Sequence, residues 1–181
     1  MCQNNEVAIV GGGNSAGQAA LFLAGFAKHV HILVRGPGLA QTMSRYLIAR
    51  IEASPNITVE ALTTVEALEG DTHLETIRWR NAKTGLSSSH EIHHLFLMTG
   101  AVPNTAWLGT CLSLDSKGFI RTGAGVTTEW PLKRAPFLLE TSLPGVFAVG
   151  DIRANSIKRV AAAVGEGSMA VQFVHQVLAG Q

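Results

Sequence analysis

Charge is scarce in this sequence. Lys and Arg number 14 and Asp and Glu 13 among 181 residues, so charged residues make up 15% of the chain, well below the about 25% of ordinary soluble domains. The balance is close to neutral, at +1, and no Lys/Arg run occurs anywhere. That argues against nucleic acid or an anionic membrane as the main partner. Cysteine is nearly absent too. Cys2 and Cys111 stand alone, which excludes a C-x-x-C dithiol centre and any cysteine-based metal site made by this chain, and fits a reducing cytoplasm. No apolar run is long enough for a membrane span, and Met1 to Glu6 lacks the basic-then-apolar build of a signal peptide. A cytoplasmic protein is expected.

Apolar material is abundant, at 46%, and so is glycine, with 19 residues. A surface so poor in charge implies an unusually buried chain, or one that packs against protein not in these 181 residues. Glu6 to Val10 is a short β-branched run of the kind buried on both faces of a sheet. Gly11-Gly12-Gly13 ends it, Asn14 is placed to cap a helix, and the Ala- and Leu-rich stretch from Ser15 to Phe26 predicts that helix. Val30 to Val34 predicts a second buried strand, completing a βαβ unit. Thr42 to Ala53 has helical spacing at Met43, Leu47, Ile48 and Ile51, and Asn56 to Glu60 predicts a third parallel strand.

The texture then changes. Thr63 to Glu69, His73 to Arg80 and Ser87 to Ile92 predict an antiparallel meander, with turns at Gly70-Asp71 and Lys83-Thr84-Gly85. Leu95 to Met98 reads as a further buried strand. A domain boundary is expected near residue 105, giving a Rossmann-like domain over 1–105 and a second segment over 106–181. The latter holds a strand at Gly145 to Val149 and a closing helix from Lys158 to Leu178.

Two motifs carry chemistry. Gly11-Gly12-Gly13-Asn14-Ser15-Ala16 fits G-x-G-x-x-A between a strand and a helix. Gly11 permits the tight turn, Gly13 lets backbone approach a pyrophosphate, and Ala16 keeps the helix against the strand, so that the helix N-terminus faces the phosphates. NAD- and FAD-binding units place a carboxylate at the end of the second strand for the ribose 2′-OH. Here Val34 and Arg35 occupy that place, and Arg pairs with a 2′-phosphate. NADP(H) is therefore favoured, with Arg45 as a second phosphate contact.

The second motif is Gly145-Val146-Phe147-Ala148-Val149-Gly150-Asp151, followed by Lys158-Arg159-Val160 at the start of the last helix. With Gly-Gly-Gly-Asn-Ser-Ala first and Thr99-Gly100-Ala101-Val102-Pro103-Asn104-Thr105 between them, the order resembles the latter part of a thioredoxin-reductase-like flavoprotein of the pyridine nucleotide–disulfide oxidoreductase superfamily. The resemblance implies an α/β fold: a Rossmann-like βαβ NADP domain with an antiparallel meander, then part of a three-layer FAD-binding domain. It implies that Asp151, after Gly150, accepts a hydrogen bond from a flavin ribitol hydroxyl. Arg159 and Val160 would lie by the isoalloxazine at the helix N-terminus, with Lys158 among the cofactor-binding residues and Gly100 near the nicotinamide nucleotide. It also implies a homodimer and a hydride passed from NADPH to FAD and on to a disulfide or other acceptor.

Two departures qualify that activity. In the superfamily the first FAD half precedes the NADP domain, so this chain is expected to be incomplete and inactive alone. The family's Arg-Arg pair for the 2′-phosphate is here Arg35-Gly36. The rival reading is a non-catalytic NADP(H)-binding module or subunit. An ordinary dehydrogenase would leave Asp151 and Arg159 unexplained, and no side chain stands out as an acid, base or nucleophile.

His90-Glu91-Ile92-His93-His94 formally matches H-E-x-x-H. Zinc needs both His on one helical turn, whereas in an extended chain they would stand about 13 Å apart, so no metal is expected. Trp79, Trp107 and Trp130 are read as core or interface packing, and His175 as packing or a dimer contact.

Overall fold

The computed structural model describes residues 2–126 and 130–180. They form two compact units divided between Gly100 and Ala101.

The first unit is built on a parallel sheet. Strands β1 (Glu6–Val10), β2 (His29–Val34) and β3 (Ile57–Ala61) are linked by helices α1 (Asn14–Leu23) and α2 (Arg45–Glu52). An antiparallel meander comes next, β4 (Thr63–Glu69), β5 (Thr76–Asn81) and β6 (Ser87–Glu91), and then β7 (His94–Leu97) returns to the parallel sheet beside β1. The sheet order is β3-β2-β1-β7. Strand alternation sorts the core into two layers. Val7, Ile9, Val30, Ile32 and Val34 face the helices and meet Ala16, Ala20, Leu23, Leu47 and Ile51. Ala8 and Leu33 point the other way, onto Ile77, Trp79 and Ile92 beneath the meander. β1 is thus covered on both faces, as its composition predicts.

His31 of β2 shares that second face. Its Nε2 lies 3.5 Å from Glu6 Oε2 and its Nδ1 3.7 Å from Glu60 Oε1. The rings of His29, Trp79 and His90 surround it at centroid distances of 4.7, 5.4 and 6.0 Å.

Boundaries shift where side chains far away in sequence intervene. α1 is capped by Gly13, and Asn14 is its first residue. The Asn14 carboxamide is taken by the Ser44 N–H at 2.8 Å, 30 residues on. α2 begins at Arg45 rather than Thr42 because Thr42 and Met43 fold back in a turn onto the Leu39 carbonyl. β5 starts at Thr76, the preceding residues being used in a turn closed by the Glu75 N–H on the Glu69 carbonyl.

The second unit has single-turn 3-10 helices at Ala106–Leu108, Gly123–Gly125 and Gly150–Ile152, and the long helix α3 (Val160–Ala179). The expected strand at Gly145 to Val149 is reduced to one antiparallel bridge, Glu140 to Phe147. A run of this composition becomes a strand only between partners, and among the described residues its backbone hydrogen bonds run to one side, to Leu139, Thr141, Leu143 and the Glu140 carboxylate. Glu140 organises that stretch. Its carboxylate has no exposure and receives Arg134 Nη1 and Nη2 at 2.6 and 2.8 Å, with the Phe137 and Gly145 N–H groups at 2.9 and 2.8 Å. Burial pushes its pKa up, but these donors together bring it below the ordinary carboxylate value.

α3 reverses the usual amphipathic rule. Its one buried residue is Glu166, while Val160, Val164, Val171 and Leu178 are exposed. Phe173, stacked against Phe137 and Phe147, is its main apolar anchor.

Candidate functional site: two glycine turns

The first turn lies at the carboxyl end of β1. Its neighbours in the sheet leave in opposite senses: β2 and β3 lie on one side and β7 on the other. This is a topological switch point, where open α/β sheets place their ligand crevice. Gly11 has φ +145, and a Cβ there would stand 2.5 Å from the Met98 carbonyl oxygen. A Cβ on Gly12 would meet Val34 Cγ1 at 3.1 Å. The Thr42 hydroxyl donates to the Gly12 carbonyl at 2.7 Å, so the loop before α2 fastens the glycine turn. Gly13 caps α1 with extended backbone and no side-chain hydrogen bond, and no acidic residue occupies the first turn. Ala16 is fully buried, and Ser15 and Asn14 are exposed. Backbone donors at a helix N-terminus with no acidic residue in its first turn fit a phosphate group.

Arg35 directly follows β2, and Arg45 is the first residue of α2; both are exposed. A cation at a helix N-terminus opposes the helix dipole, so Arg45 is placed at a cost that an anion would offset. Gly100 has φ +94 at the junction of the units, with open space around it.

The second turn lies in the second unit. Gly150 has φ +69, and a Cβ on it would approach Ala163 Cβ to 3.1 Å. Its N–H donates to Glu166 Oε2 at 2.6 Å. Arg153 grips both oxygens of the same carboxylate, with Nη2 on Oε1 and Nε on Oε2. The Arg153 guanidinium, aided by the Gly150 N–H, holds the Glu166 pKa below its usual value against burial. Lys158 donates to the Asp151 carbonyl at 2.8 Å and sits 4.0 Å over the Phe119 ring. It therefore fastens the turn through backbone.

The Asp151 carboxylate is exposed and has no hydrogen bond or ion pair among the described residues. It lines a cleft of about 430 Å³ with Val149, Gly150, Arg159, Val160, Ala163 and Val164. Arg159 is the N-cap of α3. An exposed acceptor beside an apolar wall and a helix N-terminus fits a ligand with a hydroxyl group and an apolar face. Sequence reasoning named Gly150, Asp151, Lys158, Arg159 and Val160, which the structure gathers within this one turn and helix start. It missed Glu166 and Arg153. The signal was a lone carboxylate between Gly165 and Gly167 in a helix with no other Asp, Glu, Lys or Arg.

The H-E-x-x-H string is split between strands of two sheets, with His90 on β6 and His94 on β7. His90 stacks on Trp79 with centroids 3.6 Å apart, and its Nε2 meets Ser88 Oγ at 2.8 Å. Among the described residues no three His, Cys, Asp or Glu converge on a metal position. Trp79 is core, whereas Trp107 is 76% exposed, which leaves it only the interface half of the expected core or interface packing. No described helix is long and apolar enough to cross a membrane.

Comparison with known proteins agrees with this geometry. The profile of the pyridine nucleotide-disulphide oxidoreductase family matches residues 2–167. A thioredoxin reductase of Dictyostelium discoideum is 31% identical over 168 residues, covering 93% of this chain and 48% of its own. An NADH dehydrogenase of Bacillus subtilis is 30% identical over 171 residues, covering 93% of this chain and 30% of its own. The thioredoxin reductase structure from Lactococcus lactis superposes with a TM-score of 0.78 at 25% identity, covering 99% of this chain and 55% of that one. The chain spans about half the length of the thioredoxin reductases it matches and less of the NADH dehydrogenase. It belongs to the pyridine nucleotide-disulphide oxidoreductase family and is thioredoxin-reductase-like in sequence and fold.

Proposed function

We propose that the chain is the NADP(H)-binding domain and second FAD-binding half of a flavin oxidoreductase of the thioredoxin-reductase type. The observation that carries this is the Gly11 turn at the switch point between β1 and β7, where a Cβ would strike the Met98 carbonyl. Gly11 to Ala16 form the pyrophosphate cradle, and Arg35 and Arg45 supply the cationic pairing that favours a 2′-phosphate over a free 2′-OH. Gly100 borders the nicotinamide end. In the second unit Gly150, Asp151, Arg159 and Val160 form the flavin edge of the site, with Lys158 holding the Asp151 backbone. The flavin, when bound, supplies the hydride chemistry. The protein's part is to hold nucleotide and polyol, to present the α3 N-terminus to developing negative charge, and to exclude water. The electron acceptor is a disulfide or another oxidised partner.

The exposed apolar residues of α3 favour a specific version of this reading. Val160, Val164, Val171 and Leu178 form the seat of the other FAD half, so this chain alone binds NADP(H) and does not turn over. The working form is a cytoplasmic homodimer. A visible spectrum of the purified chain, before and after incubation with FAD and desalting, tests the flavin assignment. A retained band at roughly 450 nm supports it. NADPH binding with no retained flavin returns the chain to a nucleotide-binding module.

A further inference from the structure

Helix α3 buries a charge where helices bury apolar side chains. Glu166 is 8% exposed, and its immediate neighbours are Gly165 and Gly167. A well-packed apolar pair in such a place is usually as stable as an ion pair, or more so. The ion pair adds direction instead. Glu166 Oε2 takes the Gly150 N–H and Arg153 Nε, and Oε1 takes Arg153 Nη2. Arg153 is itself tied into the turn, its N–H bonded to the Gly150 carbonyl at 3.1 Å. On the other flank Lys158 holds the Asp151 carbonyl at 2.8 Å. The peptide units around Asp151 are thus fixed on both sides. Gly150, at φ +69, has no room for a side chain that would stiffen the turn by other means, since its Cβ would stand 3.1 Å from Ala163 Cβ. The Asp151 carboxylate itself makes no hydrogen bond or ion pair among the described residues.

We propose that Glu166, locked by Arg153, is the positioning residue that sets where the Asp151 carboxylate stands for the hydroxyl of a bound flavin's polyol chain. The proposal rests on the flavin reading above. Glu166 does not touch the ligand. It acts through the Gly150–Asp151 backbone, so its loss moves the acceptor without removing it.

The test pairs two measurements on the full chain: amide hydrogen exchange without ligand, and FAD binding by flavin fluorescence. The variants are Glu166→Gln, Arg153→Lys and Asp151→Asn. Glu166→Gln keeps the shape and loses the charge. It is expected to speed exchange at Gly150 and Asp151 about tenfold while the second half of α3 keeps its protection, and to weaken FAD binding by a similar factor. Arg153→Lys, which keeps the charge but loses the two-pronged grip, changes both in the same direction by less than Glu166→Gln. Asp151→Asn weakens FAD binding and leaves Gly150 exchange at the wild-type rate. Unchanged Gly150 exchange in Glu166→Gln overturns the proposal, as does an even acceleration across the second unit, which marks a general structural role. If exchange behaves as expected but FAD binds wild type and Asp151→Asn alike, or binds neither, the flavin reading fails while the backbone role of Glu166 stands.

Discussion

A Cβ on Gly11 would lie 2.5 Å from the carbonyl oxygen of Met98, the residue that follows β7. The glycine turn is therefore shaped by a strand distant in sequence as well as by its own conformation. Gly11→Ala must strain φ +145 and push β7 away at the same time. It is expected to cost about 3 kcal/mol of stability and to abolish NADPH binding. Thermal melting and NADPH fluorescence titration check the two parts.

On the proposed reading, Arg35 separates the two nicotinamide nucleotides. Arg35→Ala should weaken NADPH about tenfold or more and leave NADH affinity within about twofold, since only the former offers a 2′-phosphate to pair. Equal losses for both nucleotides would refute that role. Arg45→Ala should show the same selectivity with a smaller change.

The two units should respond to acid at different pH. Burial, then the neighbouring His31 charge, lowers the pKa of His29 and His90 below the usual histidine value. A histidine whose folded pKa is depressed stabilises the fold above its unfolded value and loses that contribution as pH falls. The first unit, with Glu6, Lys28, His31 and Glu60 facing the same space, should therefore weaken as pH drops from about 7 through the range just below about 6.5. Glu140 and Glu166 in the second unit are depressed carboxylates. Their contribution is complete above about pH 4.5 and is lost only below it. Trp79 fluorescence, in a chain with Trp107→Phe and Trp130→Phe, should change before the helix signal of α3 does.

Glu140→Ala strips out a fully buried carboxylate and leaves Arg134, the Phe137 N–H and the Gly145 N–H without their acceptor. Differential scanning calorimetry should show a fall of about 10 °C for the second unit with the first unit's transition unmoved.

These elements were not equally legible in the sequence. The β1–Gly11–α1–β2 unit could be read because its signals are local: a β-branched run, a glycine turn and an Ala-rich helix, each next to the other. Asn14 misleads because its carboxamide serves Ser44, 30 residues on, rather than its own helix. The run from Gly145 to Val149 has the composition of a buried strand, yet strand formation depends on neighbours that composition does not specify. Glu166 was hidden for the opposite reason. A charge in an apolar helix reads as its solvent side, and only the position of Arg153 and the Gly150 N–H reveals that it faces inward.

That inversion of α3 also has a calorimetric signature. The helix is held at its N-terminal half by an ion pair and a backbone hydrogen bond, and only Phe173 and its neighbours bury much apolar surface. Heat capacity and denaturant sensitivity both scale with the surface newly exposed on unfolding. Val160, Val164, Val171 and Leu178 are already in contact with water, so melting α3 adds little to either. The second unit should unfold with a shallower urea dependence per residue than the first, and cooling should weaken it less.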